Sequence, residues 1–184
     1  IAQLKTKNNK TLIIHYSCES FFNLNGRTPR VTSICVKNRG NNTTKTFSIH
    51  IQAQIAKKEL CCITDEEYDY IEKQMLKSFF VFLKAHSTHY WVHWNMRNAS
   101  YGFEAISNRY RILGEHPKDI ESQFKVDLPE VLGKVYTYNF EYHKPDGQLL
   151  NLSKRNKIST RDALKGKEEA EAFDNRDFLK LHMS

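Results

Sequence analysis

The stretch TLIIHYSCESFF, residues 11 to 22, constrains the fold of this chain more than any other. It begins with the apolar run LII at residues 12 to 14, and such a continuous run predicts a strand buried on both faces. The polar residues 15 to 19 then fall at the carboxyl end of that strand, where open α/β sheets bind their ligands. Since Ser17 and Glu19 are two residues apart, we expect their side chains on the same face.

Two more strands and a long helix are predicted next. Residues 31 to 37 and the alternating residues 46 to 53 are joined by the Asn- and Gly-rich loop NRGNNTTK, which indicates an antiparallel hairpin. Thr64 and Glu67 have the spacing of a capping box, so a helix is expected from there to about Ala85.

The second half of the chain is predicted to be mostly helical. A short aromatic strand at residues 89 to 95 precedes a helix over residues 101 to 113. Asp127 is expected to N-cap a further helix, followed by a loop-rich segment from 137 to 160 and a charged helical segment from 160 to 182.

This order of elements predicts an α/β fold. Three antiparallel strands followed by parallel βα units form a mixed sheet flanked by helices. Residues 1 to 136 are expected to form the core, and residues 137 to 184 a basic, helical extension that completes or flanks it. The chain begins with Ile1 and stops within a helical pattern, which indicates a piece of a longer protein.

The charge of the chain favours a polyanionic partner. The formal net charge is +7, and Lys and Arg grouped on one surface attract phosphates, whereas the same surplus spread evenly only aids solubility. The basic residues are dense before the first strand and in one late segment: Lys5, Lys7, Lys10, Lys154, Arg155, Lys157, Arg161, Lys165 and Lys167. No apolar run approaches the ~20 residues that a transmembrane helix needs, so no membrane partner is expected.

The four cysteines indicate a reducing environment. They form no CxxC motif, and the adjacent pair Cys61 and Cys62 has a poor spacing for zinc, so we expect a cytoplasmic protein with free thiols. Cys18 and Cys35 lie in predicted strands, where a cysteine behaves as a small apolar residue. The alternative for Cys18 is a nucleophile, which requires an exposed thiolate beside a base such as His15.

The element order and two motifs resemble the ribonuclease H-like superfamily, specifically its DEDD 3′–5′ exonuclease branch. In that branch the first strand ends in Asp-x-Glu, and a His-Asn pair followed by an Asp comes after the fourth strand. Here Glu19 matches the first motif, with Ser17 at the position of its Asp, and within HWNMRNASYGFEAI His93 and Asn95 match the second, with Asn98 near the expected Asp. The resemblance covers about residues 11 to 135 and implies that these five residues form the catalytic site.

The resemblance also implies cofactors and a substrate. The carboxylates of the branch hold two divalent cations, so Mg²⁺ or Mn²⁺ is expected here, with Glu19 and Asp127 as ligands. Arg97 follows the strand-end motif closely and is expected to bind phosphate, as is the late basic segment. The residues of that segment assigned to phosphate are Lys154, Arg155, Lys157 and Arg161. Arg109 is expected either to bind phosphate or to lie on a solvated helix face.

Two functions are therefore predicted. The first is a nucleic-acid-binding or nucleic-acid-processing domain, with metal-dependent phosphodiester cleavage as its active form. The second is a degenerate nuclease-fold module that binds a protein partner in a bacterial defence or toxin–antitoxin assembly, because neutral Ser17 and Asn98 occupy positions of expected carboxylates. An acid–base site formed by His15, Tyr16, Glu19 and His93 is a further hypothesis.

Overall fold

A five-stranded mixed sheet forms the centre of the molecule in the computed structural model, which describes residues 8–20, 24, 26–137 and 140–184. The strands are β1 (Thr11–Cys18), β2 (Val31–Asn38), β3 (Thr44–Ser48), β4 (Tyr90–His93) and β5 (Lys125–Asp127). The strand order is β3-β2-β1-β4-β5, so β1 lies in the middle. It pairs antiparallel with β2 and parallel with β4, while β3 is antiparallel to β2 and β5 is parallel to β4. The predicted α/β class with a mixed sheet is confirmed.

Helices flank this sheet. None of those in the described ranges is both long enough and apolar enough to cross a membrane. The helices are α1 (Ile49–Ala56), α2 (Asp65–Ala85), α3 (Phe103–Ile112), α4 (Leu128–Tyr136), α5 (Gln148–Arg155), α6 (Gly166–Asp174) and α7 (Phe178–Met183). The residues Lys5, Lys7, Phe21 and Phe22, which belong to stretches used in the sequence analysis, lie outside the described residues.

One face of the sheet forms the hydrophobic core with α2 and α3. Alternate residues of β1, such as Leu12 and Ile14, are at most 2% exposed. Trp91 of β4 is fully buried, and its indole ring meets Phe79 of α2 and Phe103 of α3 edge-on. This packing holds β1 firmly in the centre of the sheet.

The other face of β1 is open, which contradicts the prediction that this strand is buried on both faces. Ile13 is 42% exposed and His15 is also exposed. The C-terminal helices contact this side near the carboxyl end of the strand, where α6 meets β1 and Ser17 is buried. The apolar run therefore reflects a central strand that only one layer of helices covers along most of its length.

Strand β3 is shorter than predicted. The expected strand over residues 46 to 53 ends at Ser48, whose Oγ accepts a hydrogen bond of 3.2 Å from the N–H of Ile51. Ser48 thereby N-caps α1 and turns the chain into a helix. The prediction of a longer strand was wrong because this capping bond outweighs the alternating pattern.

The helix boundaries follow the local signals closely. The Thr64–Glu67 capping box is confirmed, since Glu67 N–H donates to Thr64 Oγ1 and Thr64 N–H donates to the Glu67 carboxylate. Helix α4 begins directly after Asp127, as predicted, although the Asp127 side chain makes no capping bond to it. The three-residue strand β5 was not predicted; it pairs Val126 with Val92 of β4.

The C-terminal segment contains more helix than predicted. The expected loop-rich segment from 137 to 160 includes α5, and the expected helical segment contains α6 and α7. Ala172, Phe178 and Leu181 are at most 3% exposed and belong to the same core cluster as the sheet. Ser33 of β2 donates a hydrogen bond of 3.2 Å to the Leu181 carbonyl oxygen. The domain division at residue 136 stays a prediction.

Candidate functional site

The carboxyl end of β1 carries the first candidate residues. Ser17 is only 4% exposed and precedes an irregularity in the pairing with β2 between Ser17 and Cys18. The simple alternation that was expected to put Ser17 and Glu19 on one face is interrupted there. Glu19 follows the strand, and its N–H donates a hydrogen bond of 2.8 Å to the Arg30 carbonyl oxygen.

Helix α6 adds a carboxylate that the sequence analysis missed. Ser17 Oγ donates a hydrogen bond of 2.6 Å to Oε1 of Glu169, which lies 152 positions further along the chain. The segment KGKEEAEAF contains several acidic residues, and nothing in the local sequence distinguishes Glu169 from the others. Glu169 reaches Ser17 because α6 packs on β1. The carboxyl end of β1 therefore has a second carboxylate, contributed by α6, in addition to that of Glu19.

The side chains of Glu19 and Glu169 both line a cavity of about 320 Å³, which we call the β1 cavity. Tyr101 forms one wall; its ring stacks on Tyr16 with centroids 4.6 Å apart, and its hydroxyl donates to the Tyr16 carbonyl oxygen at 3.1 Å. Open α/β sheets bind ligands at the carboxyl ends of their strands, which is where this cavity lies. The lining residues are Cys18, Glu19, Ser20, Tyr101, Gly166, Lys167, Glu169 and Ala170.

Glu19 is held by two neighbours. Arg27 donates from Nη2 to Oε1 at 2.6 Å, and the Arg30 N–H donates to Oε2 at 3.2 Å. The Glu19 side chain is 14% exposed, so these contacts act at the edge of solvent. A carboxylate has about four lone-pair positions, so Glu19 retains acceptor capacity toward the cavity.

The Cys18 thiol also lines the β1 cavity, but it is not activated. Burial raises its pKa to about 12, and the negative charges of Glu169 and Glu19 add to this effect. The thiol therefore stays protonated near neutral pH, so the alternative of a Cys18 nucleophile is not supported.

A second cavity of about 330 Å³ adjoins the β1 cavity, and the two share Gly166 and Glu169 in their walls. His15 and Trp94 line it together with the ion pair between Lys165 and Asp146. Glu169 thus lines both cavities.

The hypothetical acid–base set is divided among different environments. His15 lines the second cavity and Glu19 the first. Tyr16 is 2% exposed in the core, and burial raises its pKa well above its usual value. His93 is 4% exposed, and desolvation lowers its pKa despite the nearby Asp127 carboxylate. These four side chains do not share one described cavity.

His93 and Asn95 instead join a cluster around Asp127, at the ends of β4 and β5. Asp127 Oδ1 accepts a hydrogen bond of 2.9 Å from the Asn95 N–H and lies 3.4 Å from His93 Nδ1. Arg97 Nε is 2.9 Å from Asp127 Oδ2, and Arg97 Nη2 donates to Asn95 Oδ1 at 3.0 Å. His93 Nδ1 accepts from the Met96 N–H at 3.3 Å. The cluster fixes the turn after β4.

The predicted metal ligands therefore lie in separate hydrogen-bonded groups. Glu19 lines the β1 cavity, whereas Asp127 is bonded to Asn95 and paired with Arg97. Within the part of the chain that the structure describes, no three His, Cys, Asp or Glu side chains are grouped so that they could hold a metal ion. The carboxylate beside the predicted motif is that of Glu169.

Asn98 shapes a turn instead of lining the cavity. Its Oδ1 accepts hydrogen bonds from the backbone N–H groups of Ser100 and Tyr101, at 3.1 and 2.6 Å. Asn98 is exposed, and its effect on the site is indirect, because the turn that it stabilises carries the Tyr101 wall of the β1 cavity.

The late basic segment is exposed but partly neutralised by nearby acids. Lys154 pairs with Asp146 at 2.5 Å, Arg155 lies 3.4 Å from Glu141, and Arg161 lies 3.8 Å from Asp162. Lys157, in the turn after α5, is also exposed. The Arg161–Asp162 pair is exposed on both sides, and such pairs are weak, so a phosphate can compete for Arg161. The carboxylates of Asp146 and Glu141 are only 12% and 9% exposed.

A buried ion-pair network lies between α2 and α3. Arg109 is only 2% exposed, which contradicts both expectations for it, and it donates from Nε and Nη2 to the fully buried Glu72 at 2.7 to 3.0 Å. Glu72 also accepts from the Val31 N–H at 2.7 Å. Burial raises the pKa of Glu72 to about 7, even though Arg109 lowers it. The network anchors both helices to β2.

No protein-family profile matches the sequence, and comparison with curated proteins and with solved structures found no match. The geometry alone therefore carries the functional argument. Glu19 and Glu169 supply oxygen ligands to one cavity, and Lys167 supplies a positive charge at its rim. Such an arrangement can bind a cation or a phosphate-bearing end, with Tyr101 as a flat wall.

Proposed function

We propose that this chain is a nucleic-acid-binding domain with the architecture of the ribonuclease H-like superfamily, which receives the end of a single strand in the β1 cavity. Three antiparallel strands followed by parallel βα units agree with this architecture. The observation that carries the proposal is the pair of carboxylates, Glu19 and Glu169, on one cavity at the carboxyl end of the central strand. The net charge of +7 supports a polyanionic partner.

Binding with little cleavage is the activity that this site supports best. Glu19 and Glu169 are the residues that would hold a Mg²⁺ or Mn²⁺ ion, which would clamp a phosphate oxygen. Ser17 contributes only a neutral hydroxyl, and it already donates to Glu169. Two cations close together need more carboxylates than these two to balance their charge, so we do not include a two-metal cleavage step in the proposal.

Fluorescence anisotropy with labelled single-stranded DNA and RNA tests the proposal. We expect binding at low salt and a linear fall of log K with log salt. Lys167→Ala should reduce the salt slope by about one, because one phosphate contact is removed. Lys84→Ala, an exposed lysine on α2, is the matched control. Absence of binding to either polymer at low salt would refute the proposal.

Glu19→Gln separates binding from cleavage. With Mg²⁺ or Mn²⁺ present, this variant should lose any cleavage of the same oligonucleotides and the part of the binding that the cation adds, while binding without added cation stays largely intact. Cleavage that survives both Glu19→Gln and Glu169→Gln would mean that the reaction does not use the β1 cavity.

A protein-binding module, such as part of a bacterial defence or toxin–antitoxin assembly, is the second candidate function. A groove of about 610 Å³ between α1 and α2 favours it, because Ile55, Tyr70 and Val81 along this groove are each more than 60% exposed. Lys45 and Lys77 also line the groove. Val81→Asp should abolish a complex that forms here and leave nucleic-acid binding unchanged, as measured by light scattering and anisotropy.

A further inference from the structure

Two adjacent thiols are exposed in the turn that precedes α2. Cys61 and Cys62 end the 3-10 turn Leu60–Cys62, and their Sγ atoms lie 3.1 Å apart. Leu60 packs against the core on one side of the pair, and Ile63 is buried on the other. Both flanking residues therefore anchor the backbone and leave the two sulfur atoms on the same side of the turn.

Zinc and a disulfide both fit this pair poorly. Structural zinc takes four ligands, and no group of three or more potential metal-binding side chains occurs in residues 8–20, 24, 26–137 and 140–184. Adjacent Cα atoms are about 3.8 Å apart, which is below the range of about 4.4–6.8 Å typical of disulfides. The contact of 3.1 Å also exceeds an S–S bond of about 2.05 Å.

We propose that Cys61 and Cys62 form a two-sulfur binding site for a trivalent arsenical. Trivalent arsenic is pyramidal, so it holds two sulfur ligands close together at nearly a right angle. It needs only two thiolates from the protein, since its third bond is to carbon or oxygen. Soft sulfur ligands prefer such a soft centre to hard cations.

The reaction balances without an oxidant or a reductant. An organic arsenoxide forms two As–S bonds, its oxygen leaves as water, and the two thiol protons supply the hydrogens of that water. The hydrogen bond between the thiols raises the pKa of Cys62, while Arg176 opposes this effect. The Cys62 thiol therefore keeps its proton near neutral pH and can release it to the departing oxygen.

Phenylarsine oxide is the probe for this site. Intact mass spectrometry of the whole chain should show one adduct, with the mass of the arsenical less one water. Cys61→Ser or Cys62→Ser should weaken binding about 10²–10⁴-fold, because the second bond becomes intermolecular. Cys35→Ser is the matched control, since Cys35 is an exposed thiol in the described part of the chain with a different neighbourhood.

Competition distinguishes a two-sulfur site from a single reactive cysteine. Excess glutathione, a monothiol, should leave the adduct in place, whereas a small dithiol should remove it. An adduct that persists in Cys61→Ser, or that glutathione displaces, would overturn the proposal. Because both side chains are exposed, the serine variants should keep the circular dichroism of the unmodified chain. Cys61→Ala gives the same test if Cys61→Ser unfolds.

Discussion

Replacing Ser17 by Asp tests the central geometry of the site. Ser17 Oγ lies 2.6 Å from Oε1 of Glu169, so an aspartate there puts a second carboxylate against the first. Two unit charges about 4 Å apart repel by about 4 kcal/mol at an effective dielectric constant of about 20. We therefore expect Ser17→Asp to lose up to about 4 kcal/mol of the free energy of unfolding at mildly alkaline pH, where both groups are ionised.

The pH dependence of this variant follows from the same repulsion. Repulsion raises the pKa of one of the two carboxyls in the folded state above its value in the unfolded chain. The folded state then binds a proton more readily, so the lost stability returns as pH falls and is lost again as pH rises through the raised pKa. Ser17→Asn, neutral and nearly isosteric with Asp, should show no such dependence.

Divalent cations should rescue Ser17→Asp. A cation that binds both Asp at position 17 and Glu169, and does so in the folded state alone, stabilises that state. The gain is about 2.7 kcal/mol when the cation concentration is 100 times the Kd. Urea unfolding, followed by tryptophan fluorescence with and without Mg²⁺ or Mn²⁺, measures both effects; Trp91 is fully buried and reports the core. If Ser17→Asp has the same free energy of unfolding as Ser17→Asn at every pH and neither cation changes it, the Glu169 carboxylate does not lie beside position 17.

Four further predictions concern stability and use urea unfolding as the assay. Arg109→Met should lose about 3–5 kcal/mol of the free energy of unfolding because it leaves the buried Glu72 carboxylate without its cation. The double variant Arg109→Met, Glu72→Leu should recover most of this loss. If the effects of the two substitutions simply add, the two side chains are not paired. Because the pKa of Glu72 is raised in the folded state, its contribution to the free energy of unfolding should be fully present below about pH 4.5 and be lost as pH rises through about 7. Glu72→Gln should remove this pH dependence. Thr64→Ala should cost about 1 kcal/mol through the lost helix cap; no change would show that the capping box is not formed in solution. Asp127→Ala should cost about 1.5–3 kcal/mol because its charged hydrogen bond to the Asn95 N–H is lost, whereas a neutral effect would place that N–H in solvent.

Elements with a local signal could be predicted from the sequence. The Thr64–Glu67 box determines where α2 begins, because both bonds join residues three positions apart. The strand over residues 46 to 53 was wrong after Ser48, where an alternating pattern and a helix cap compete within one turn. Strand β5 has three residues, too few for any hydrophobic period.

The candidate site could be predicted only in its local half. Glu19 directly follows β1, a strand that the apolar run predicts, so its position at the carboxyl end of that strand could be predicted from adjacent residues. Glu169 reaches Ser17 only because α6 docks on β1. Arg109 and Glu72 are charged residues on helices, and such residues are usually solvated, so only packing reveals that they are buried together.

The two outer strands of the sheet have a consequence for self-association. A free strand edge offers unpaired backbone groups to another chain and can start aggregation. Here β5 is only three residues long, and the five-residue β3 carries the exposed Lys45. Short or charged edges are poor templates for an added strand. The lengths and charge of β3 and β5 therefore disfavour edge-to-edge polymerisation of this sheet.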